Sequence, residues 1–376
     1  MGIHCEVNLY KPSDGAFRPG SIINGAIKYA VDEETTFKNI TVSLKGRGKL
    51  HIRRKSGKNE TNYFRKEKYA DFDHVIADQE KELTVSIGSY ETSFSFVLPT
   101  NVPPSLKYKK HVSGYDVRCQ IFYYIRIEFV RPGFFQRNKC FKKELSVVAG
   151  ITPILPIGEC ILGEKKTLTQ FFKRDKSVVE IKATIQSCVL QPGGKININY
   201  ELVNDTDVTV ANIKWKLYEV HKFFVSHSQR ETASPKAVAY KAIEGTDAKT
   251  GSVTSGNKQS MDIEISVPGD ISGSIDNSGI VSRGYEVRLE VGLPMPHRNL
   301  KLPIPVQIGD PVQEITELAM PVYGTEPPPS YWEAMAEDDE KTSNSSRIPT
   351  RQYLISLEWS DFDNCPIHFK SIRGRM

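Results

Sequence analysis

Phe17-Arg18-Pro19-Gly20, followed by Ile23, Ile27 and Tyr29 and then by Asn39-Ile40-Thr41-Val42-Ser43-Leu44, occurs twice in this chain. The second copy is Leu190-Gln191-Pro192-Gly193, followed by Ile196, Ile198 and Tyr200 and then by Asn212-Ile213-Lys214-Trp215-Lys216-Leu217. Pro-Gly opens each copy, an alternating strand follows, and Asn-Ile begins the next. Three more echoes come in the same order. Phe94-Ser95-Phe96-Val97-Leu98-Pro99 is answered by Ile263-Glu264-Ile265-Ser266-Val267-Pro268, and Tyr123 to Phe129 by Tyr285 to Val291. Glu144-Leu145-Ser146-Val147-Val148 is answered by Pro303-Ile304-Pro305-Val306-Gln307. Four collinear echoes over so long a unit indicate two copies of one globular domain rather than a solenoid.

Length agrees, because 376 residues exceed one ordinary core and suit two domains with an extension. No apolar run approaches the roughly 20 residues that span a bilayer. The opening Met1-Gly2-Ile3-His4-Cys5-Glu6 has no apolar signal region, which argues against secretion. Among six cysteines there is no Cys-x-x-Cys pair, so reduced thiols in a cytoplasmic protein are expected, with no metal site and no cofactor. Charge is uneven. Residues 1–150 hold 25 Lys and Arg against 16 Asp and Glu, whereas 313–376 hold 6 against 11.

Along the chain, Val7 to Tyr10, Ile23 to Val31, Ile40 to Leu44, Leu83 to Ile87 and Phe94 to Leu98 alternate with period two, and Val117 to Val130 reads as a long aromatic strand. The basic stretch Arg53 to Lys68 is expected as a hairpin with a long solvated loop, and Pro99 to Lys110 as a Pro- and Lys-rich loop. Pro153, Pro156, Gly158 and Gly163 break the pattern and mark 151–166 as a linker. The fold class is therefore all-β: two tandem immunoglobulin-like β-sandwiches over 1–150 and 167–312. A tail over 313–376, rich in Pro, Glu, Ser and Thr, is expected to be disordered.

Within that tail, Glu326-Pro327-Pro328-Pro329-Ser330-Tyr331 is the sharpest short signal. Prolines hold φ near −65° and pre-form a polyproline II helix, which aromatic grooves of WW domains accept with little ordering entropy. Pro328, Pro329 and Tyr331 are the candidate WW-binding residues; the plainer reading is a Pro-rich linker with an incidental Tyr.

Tandem β-sandwiches opened by Pro-Gly, ahead of an acidic tail with Pro-Pro-Ser-Tyr, resemble the arrestin fold, and within it the α-arrestins, over about residues 5–335. The resemblance implies a non-enzymatic cytoplasmic adaptor, recruited to plasma membrane and endosomes. Its sandwiches would engage membrane protein cargo, and its tail would recruit a WW-domain HECT-type ubiquitin ligase. The second Pro-Pro-x-Tyr site usual in the family has no counterpart in this sequence. A coat-like cargo scaffold resembling the retromer cargo-binding subunit, without ligase recruitment, is the alternative.

Two basic clusters stand out in the first half. Lys45 to Lys68 includes the candidate docking residues Arg53, Arg54, Lys55 and Lys58, and Lys107, Lys109, Lys110 and His111 form the second cluster. Their charge would attract an anionic membrane surface or acidic tails, and the alternative is a solvated hairpin. No fold or stacking motif for nucleic acid accompanies them. In the far tail Leu354-Ile355-Ser356-Leu357-Glu358 has the clathrin-box pattern, and Trp359-Ser360-Asp361-Phe362 that of peptides read by adaptor appendage domains. Leu354, Leu357, Trp359 and Phe362 are thus candidate endocytic-coat contacts, against a chance apolar run. Motifs of catalysis are missing: there is no phosphate loop, no His-Glu-x-x-His and no Gly-x-Ser-x-Gly, and the eight histidines are scattered.

Overall fold

The computed structural model describes residues 2–57, 59–77, 83–133, 138–168, 177–225 and 237–311. Among them are twenty strands and no helix. The first domain holds β1 (Ile3–Leu9), β2 (Ile22–Val31), β3 (Thr35–Phe37), β4 (Asn39–Ser56), β5 (Asn59–Ala77), β6 (Leu83–Val85), β7 (Gly88–Val97), β8 (Leu106–Val112), β9 (Tyr115–Val130) and β10 (Lys139–Leu145). The second holds β11 (Cys160–Leu168), β12 (Ser177–Ile185), β13 (Val189–Leu190), β14 (Lys195–Asp205), β15 (Asn212–Phe223), β16 (Ala237–Ala242), β17 (Ala248–Lys249), β18 (Lys258–Ser266), β19 (Val281–Gly292) and β20 (Leu300–Ile308).

Each domain is a sandwich of two main sheets. In the first, β1-β2-β7 packs against β10-β9-β4-β5, with β8 beside β9. In the second, β11-β12-β14-β18 packs against β13-β20-β19-β15-β16, with β17 beside β15. Inward side chains alternate along β9, β14 and β19. In β9, Val117, Cys119, Ile121, Tyr123, Ile125, Ile127 and Phe129 are all buried, and their neighbours face outward.

The duplication holds at the level of register. Strand order β1-β2-β7 recurs as β12-β14-β18, and β10-β9-β4-β5 recurs as β20-β19-β15-β16. Ile23 pairs with Phe96 as Ile196 pairs with Ile265, and Val42 pairs with Ile127 as Trp215 pairs with Leu289. Gly20 and Gly193 occupy equivalent turns at φ of 78° and 79°, a left-handed conformation that glycine adopts without a Cβ clash. The fourth echo is displaced. Tyr123 faces Leu145 and Tyr285 faces Val306, so Leu145 corresponds to Val306 rather than to Ile304. A shift of two residues keeps the same face buried, so periodicity alone could not detect it.

Three local expectations are corrected. The basic hairpin has no long loop: β4 and β5 pair out to Ser56 and Asn59. Beyond Ile52 the hairpin projects past the core, both faces meet water, and the apolar alternation that marks a strand disappears. The expected loop Pro99 to Lys110 runs into β8 from Leu106, a lysine-rich strand paired, among the described residues, only with β9; lysines on such edges deter unwanted pairing. The expected linker 151–166 ends inside β11, which pairs with β12 from Cys160↔Ile185 to Leu168↔Ser177. It is an edge strand, and its largely solvated burial pattern hides it from the apolar count.

The two domains share apolar packing. Phe223, Val225, Ala237, Ala239, Ile280 and Val281 of the second join the core of the first. Polar contacts fix the junction: the Tyr69 hydroxyl donates to Glu67 Oε2 at 2.7 Å and meets Ser278 Oγ at 2.8 Å, and the Gly279 amide donates to Glu67 Oε2 at 3.0 Å. A Cβ at Gly279 would stand 2.2 Å from Glu67 Oε1, so a side chain there would displace the ends of the Glu67 and Arg65 side chains. Ile280 is fully buried at this junction. Ile280→Ala should destabilise the protein by about 2–5 kcal/mol, the range for emptying a buried isoleucine site, as read by denaturant unfolding of the full chain. Ile154→Ala, at an exposed position, should shift stability by less than about 0.5 kcal/mol.

Candidate functional site

The two basic clusters lie on neighbouring strands. β4 and β8 flank one end of β9, and the register sets both Arg53 and His111 opposite Asp116. Asp116 Oδ2 accepts from Arg53 Nη2 at 2.6 Å and Nε at 3.1 Å, and Oδ1 lies 2.8 Å from His111 Nδ1. Hydrogen bonds from His111 and Arg53 hold this carboxyl down at about 2. Glu60 stands 3.9 Å from Arg53, and the Arg54 guanidinium lies over the Tyr115 ring at 5.8 Å. Arg53 is therefore locked between carboxylates on one face of the hairpin. Arg54 and Lys55 are exposed, whereas Lys58 lies outside the described residues.

The base of the same hairpin carries a second charge network. The buried Lys45 ammonium sits 2.6 Å from Asp71 Oδ1 and 2.5 Å from Asp73 Oδ1, and Arg47 Nη2 lies 3.0 Å from Asp71 Oδ1. Burial pulls the Lys45 pKa down, but hydrogen bonds to Asp71 and Asp73 outweigh it and leave it raised. Both carboxyls are held below their ordinary range, chiefly by Lys45. Lys49 lies over the Phe122 ring at 5.1 Å. Much of the positive charge counted in the sequence is thus internally compensated. Cations with no carboxylate partner among the described residues include Arg54, Lys55, Lys66, Lys107, Lys109 and Lys110. The roles of Asp71, Asp73 and Asp116 were missed at the sequence level. Asp71-Phe72-Asp73 does carry the alternation of a strand facing Lys45, and that was the available signal.

Among the described residues no group of His, Cys, Asp and Glu could hold a metal ion. The five described cysteines, Cys5, Cys119, Cys140, Cys160 and Cys188, are free thiols. Pro328, Pro329 and Tyr331, and likewise Leu354, Leu357, Trp359 and Phe362, lie with the whole expected tail outside the described residues.

The family model of the arrestin (or S-antigen) N-terminal domain matches residues 5–152, and that of the C-terminal domain matches 175–313. The chain belongs to the arrestin-domain family. It is 23% identical over 331 residues to arrestin domain-containing protein 17 of Caenorhabditis elegans, across 82% of this chain and 71% of that protein. Arrestin-domain proteins are in general trafficking adaptors rather than enzymes. In this arrestin-domain protein the candidate surface is correspondingly a set of exposed cations on paired strands.

The compensated carboxylates give a pH signature. A carboxyl depressed in the folded state contributes stability above its unfolded pKa, about 3.9, and that contribution is lost as pH falls through the folded value. For Asp116 the loss spans the window from about 4 down to about 2. Melting temperature should fall across this window, and Asp116→Asn should flatten that fall while lowering stability at neutral pH. Thermal denaturation against pH reads both.

Proposed function

We propose that this protein is a cytoplasmic trafficking adaptor that links membrane protein cargo to a WW-domain HECT-type ubiquitin ligase, promoting cargo ubiquitylation and endocytic sorting at plasma membrane and endosomes. The observation that carries the reading is Pro328-Pro329-Ser330-Tyr331 placed after a tandem pair of arrestin domains. The work of such a molecule is proximity, since tethering raises the ligase's effective concentration at the cargo. Three consecutive prolines hold the groove-fitting shape in advance, and Tyr331 adds one aromatic anchor. Leu354, Leu357, Trp359 and Phe362 would add contacts to clathrin or adaptor appendage domains.

Anchors of this kind carry about 2 kcal/mol or more, so Tyr331→Ala should weaken WW-domain binding by the full-length protein roughly thirtyfold or more. Phosphorylated Tyr331 should fail to bind, because a dianion would have to enter a site for a neutral ring. Isothermal titration with a ligase WW domain measures both. Unchanged affinity would remove the ligase from the reading and favour the coat-scaffold alternative.

Docking on anionic membranes is assigned to the hairpin tip. Arg53 is engaged with Asp116, so the free charges there among the described residues are those of Arg54 and Lys55, with Lys58 adjoining them in the sequence. A triple Glu variant at Arg54, Lys55 and Lys58 should fold normally and lose salt-sensitive binding to phosphatidylserine vesicles. Full retention of vesicle binding would make the tip a solubilising hairpin.

A further inference from the structure

Cys160 and Cys188 meet in the second domain, where an edge of one sheet lies against the other sheet. Cys160 is the first residue of β11, an edge strand paired with β12. Its register opposite Ile185 turns its side chain toward the apolar core, against which it packs partly buried. Cys188 lies in the turn between β12 and β13, only 1% exposed, within the same core. The two thiols are hydrogen-bonded to each other. No other pair among the five described cysteines is joined in this way.

Cys188 is also a junction in the backbone. Its amide donates to the Pro156 carbonyl at 3.1 Å, and its carbonyl accepts from the Gln307 amide at 2.7 Å. The buried Gln307 side chain in turn holds the segment that connects the two domains. Its Oε1 accepts from the Ile154 amide at 2.9 Å, and its Nε2 donates to the Thr152 carbonyl at 2.8 Å. The stretch from Thr152 to Pro156 is thereby strapped to the second domain by hydrogen bonds, and four residues later the chain reaches Cys160. β11 lies against β20 of the opposite sheet, and among the described residues no covalent bond joins the two sheets.

We infer that Cys160 and Cys188 form an oxidisable dithiol, which hydrogen peroxide converts to a disulfide that staples β11 and the end of the interdomain connection to the opposite sheet. Exposure assigns the order of events. Cys160 is partly exposed and meets the oxidant first: its sulfur takes one oxygen from the peroxide, becoming a sulfenic acid, and water leaves. The Cys188 sulfur then attacks the sulfenic sulfur, the S–S bond forms, and the displaced hydroxide departs as a second water with the Cys188 proton. The two thiols give up two electrons in all, and the peroxide accepts them. Burial, with the Cys160 neighbour adding to it, lifts the Cys188 pKa to about 11, so this thiol is a poor target for oxidants on its own. Its standing contact with Cys160 supplies by proximity what it lacks in acidity. Cys5 and Cys119, which burial lifts to about 11 and about 12, have no thiol beside them among the described residues. The exposed Cys140 accepts from Arg126 Nε at 3.0 Å and likewise has no second thiol there to resolve it.

The test uses the full-length protein, reduced, desalted and then exposed to graded hydrogen peroxide. Peptide mass spectrometry without reduction should find Cys160 joined to Cys188, two hydrogens lighter than the separate peptides, and dithiothreitol should undo the link. The oxidised protein should melt several degrees higher, because the bond constrains the unfolded chain between the two positions. Amide exchange at Ile154 and along β11 should slow on oxidation and recover on reduction. Cys160→Ser, at the partly exposed member, should fold as the wild type and lose the link, the rise in melting temperature and the slowed exchange. Cys188→Ala should leave on Cys160 a sulfenic acid that dimedone traps, and Cys140→Ser should behave as the wild type throughout. An oxidised protein in which Cys160 carries a sulfinic acid while Cys188 stays free would overturn the pair. So would a link that joins Cys160 to a second molecule, or a rise in melting temperature that persists in Cys160→Ser.

Discussion

The antiparallel pairing of β4 with β9 is the constraint on which the rest of the first domain depends. It runs unbroken from Asn39↔Val130 to Arg54↔Tyr115. Because side chains alternate strictly, one register places Val42, Leu44, Leu50 and Ile52 in the core together with Ile121, Ile125 and Ile127. The same register sets Arg53 against Asp116 and brings Gly48 beneath Ile280 of the second domain. A slip of one residue would expose the core, separate that ion pair and remove the seat of the neighbouring domain.

Charge in this protein is read correctly only after pairing. The surplus of Lys and Arg in the first domain suggested a broadly basic face. Asp71, Asp73 and Asp116 take up Lys45, Arg47, Arg53 and His111, and two groups stand out among the cations left free. One is the hairpin tip. The other is β8, where Lys107, Lys109 and Lys110 have no carboxylate partner among the described residues. Both suit long-range attraction, which salt screens.

Much of the fold was legible because buried strands announce themselves. Ile23 to Val31, Ile40 to Leu44 and Val117 to Val130 each carry an apolar face, and Pro-Gly at both Gly20 and Gly193 marks a turn that demands positive φ. What stayed hidden was held together by other means. β8 and β11 are lysine-bearing edge strands with largely solvated faces, stabilised by pairing rather than by burial, so no apolar period betrays them. The Arg53–Asp116 pair joins residues 63 positions apart, and β15 to β19 likewise assembles His221 with Arg283. Contacts of that range are set by topology, which a single sequence discloses only through its repeats. The tail motif is the reverse case: Pro328, Pro329 and Tyr331 are read from local backbone chemistry alone, because proline fixes its own conformation.

An adaptor is defined by holding two partners at once. The most direct measurement is a reconstituted ubiquitylation assay with the full-length protein, a WW-domain HECT-type ligase and a membrane cargo carrying its cytoplasmic tail. The account predicts cargo ubiquitylation that depends on the adaptor and passes through a maximum as adaptor is added in excess, because surplus adaptor separates ligase from cargo. Cargo modified equally well without the adaptor, or never modified in its presence, would contradict the account.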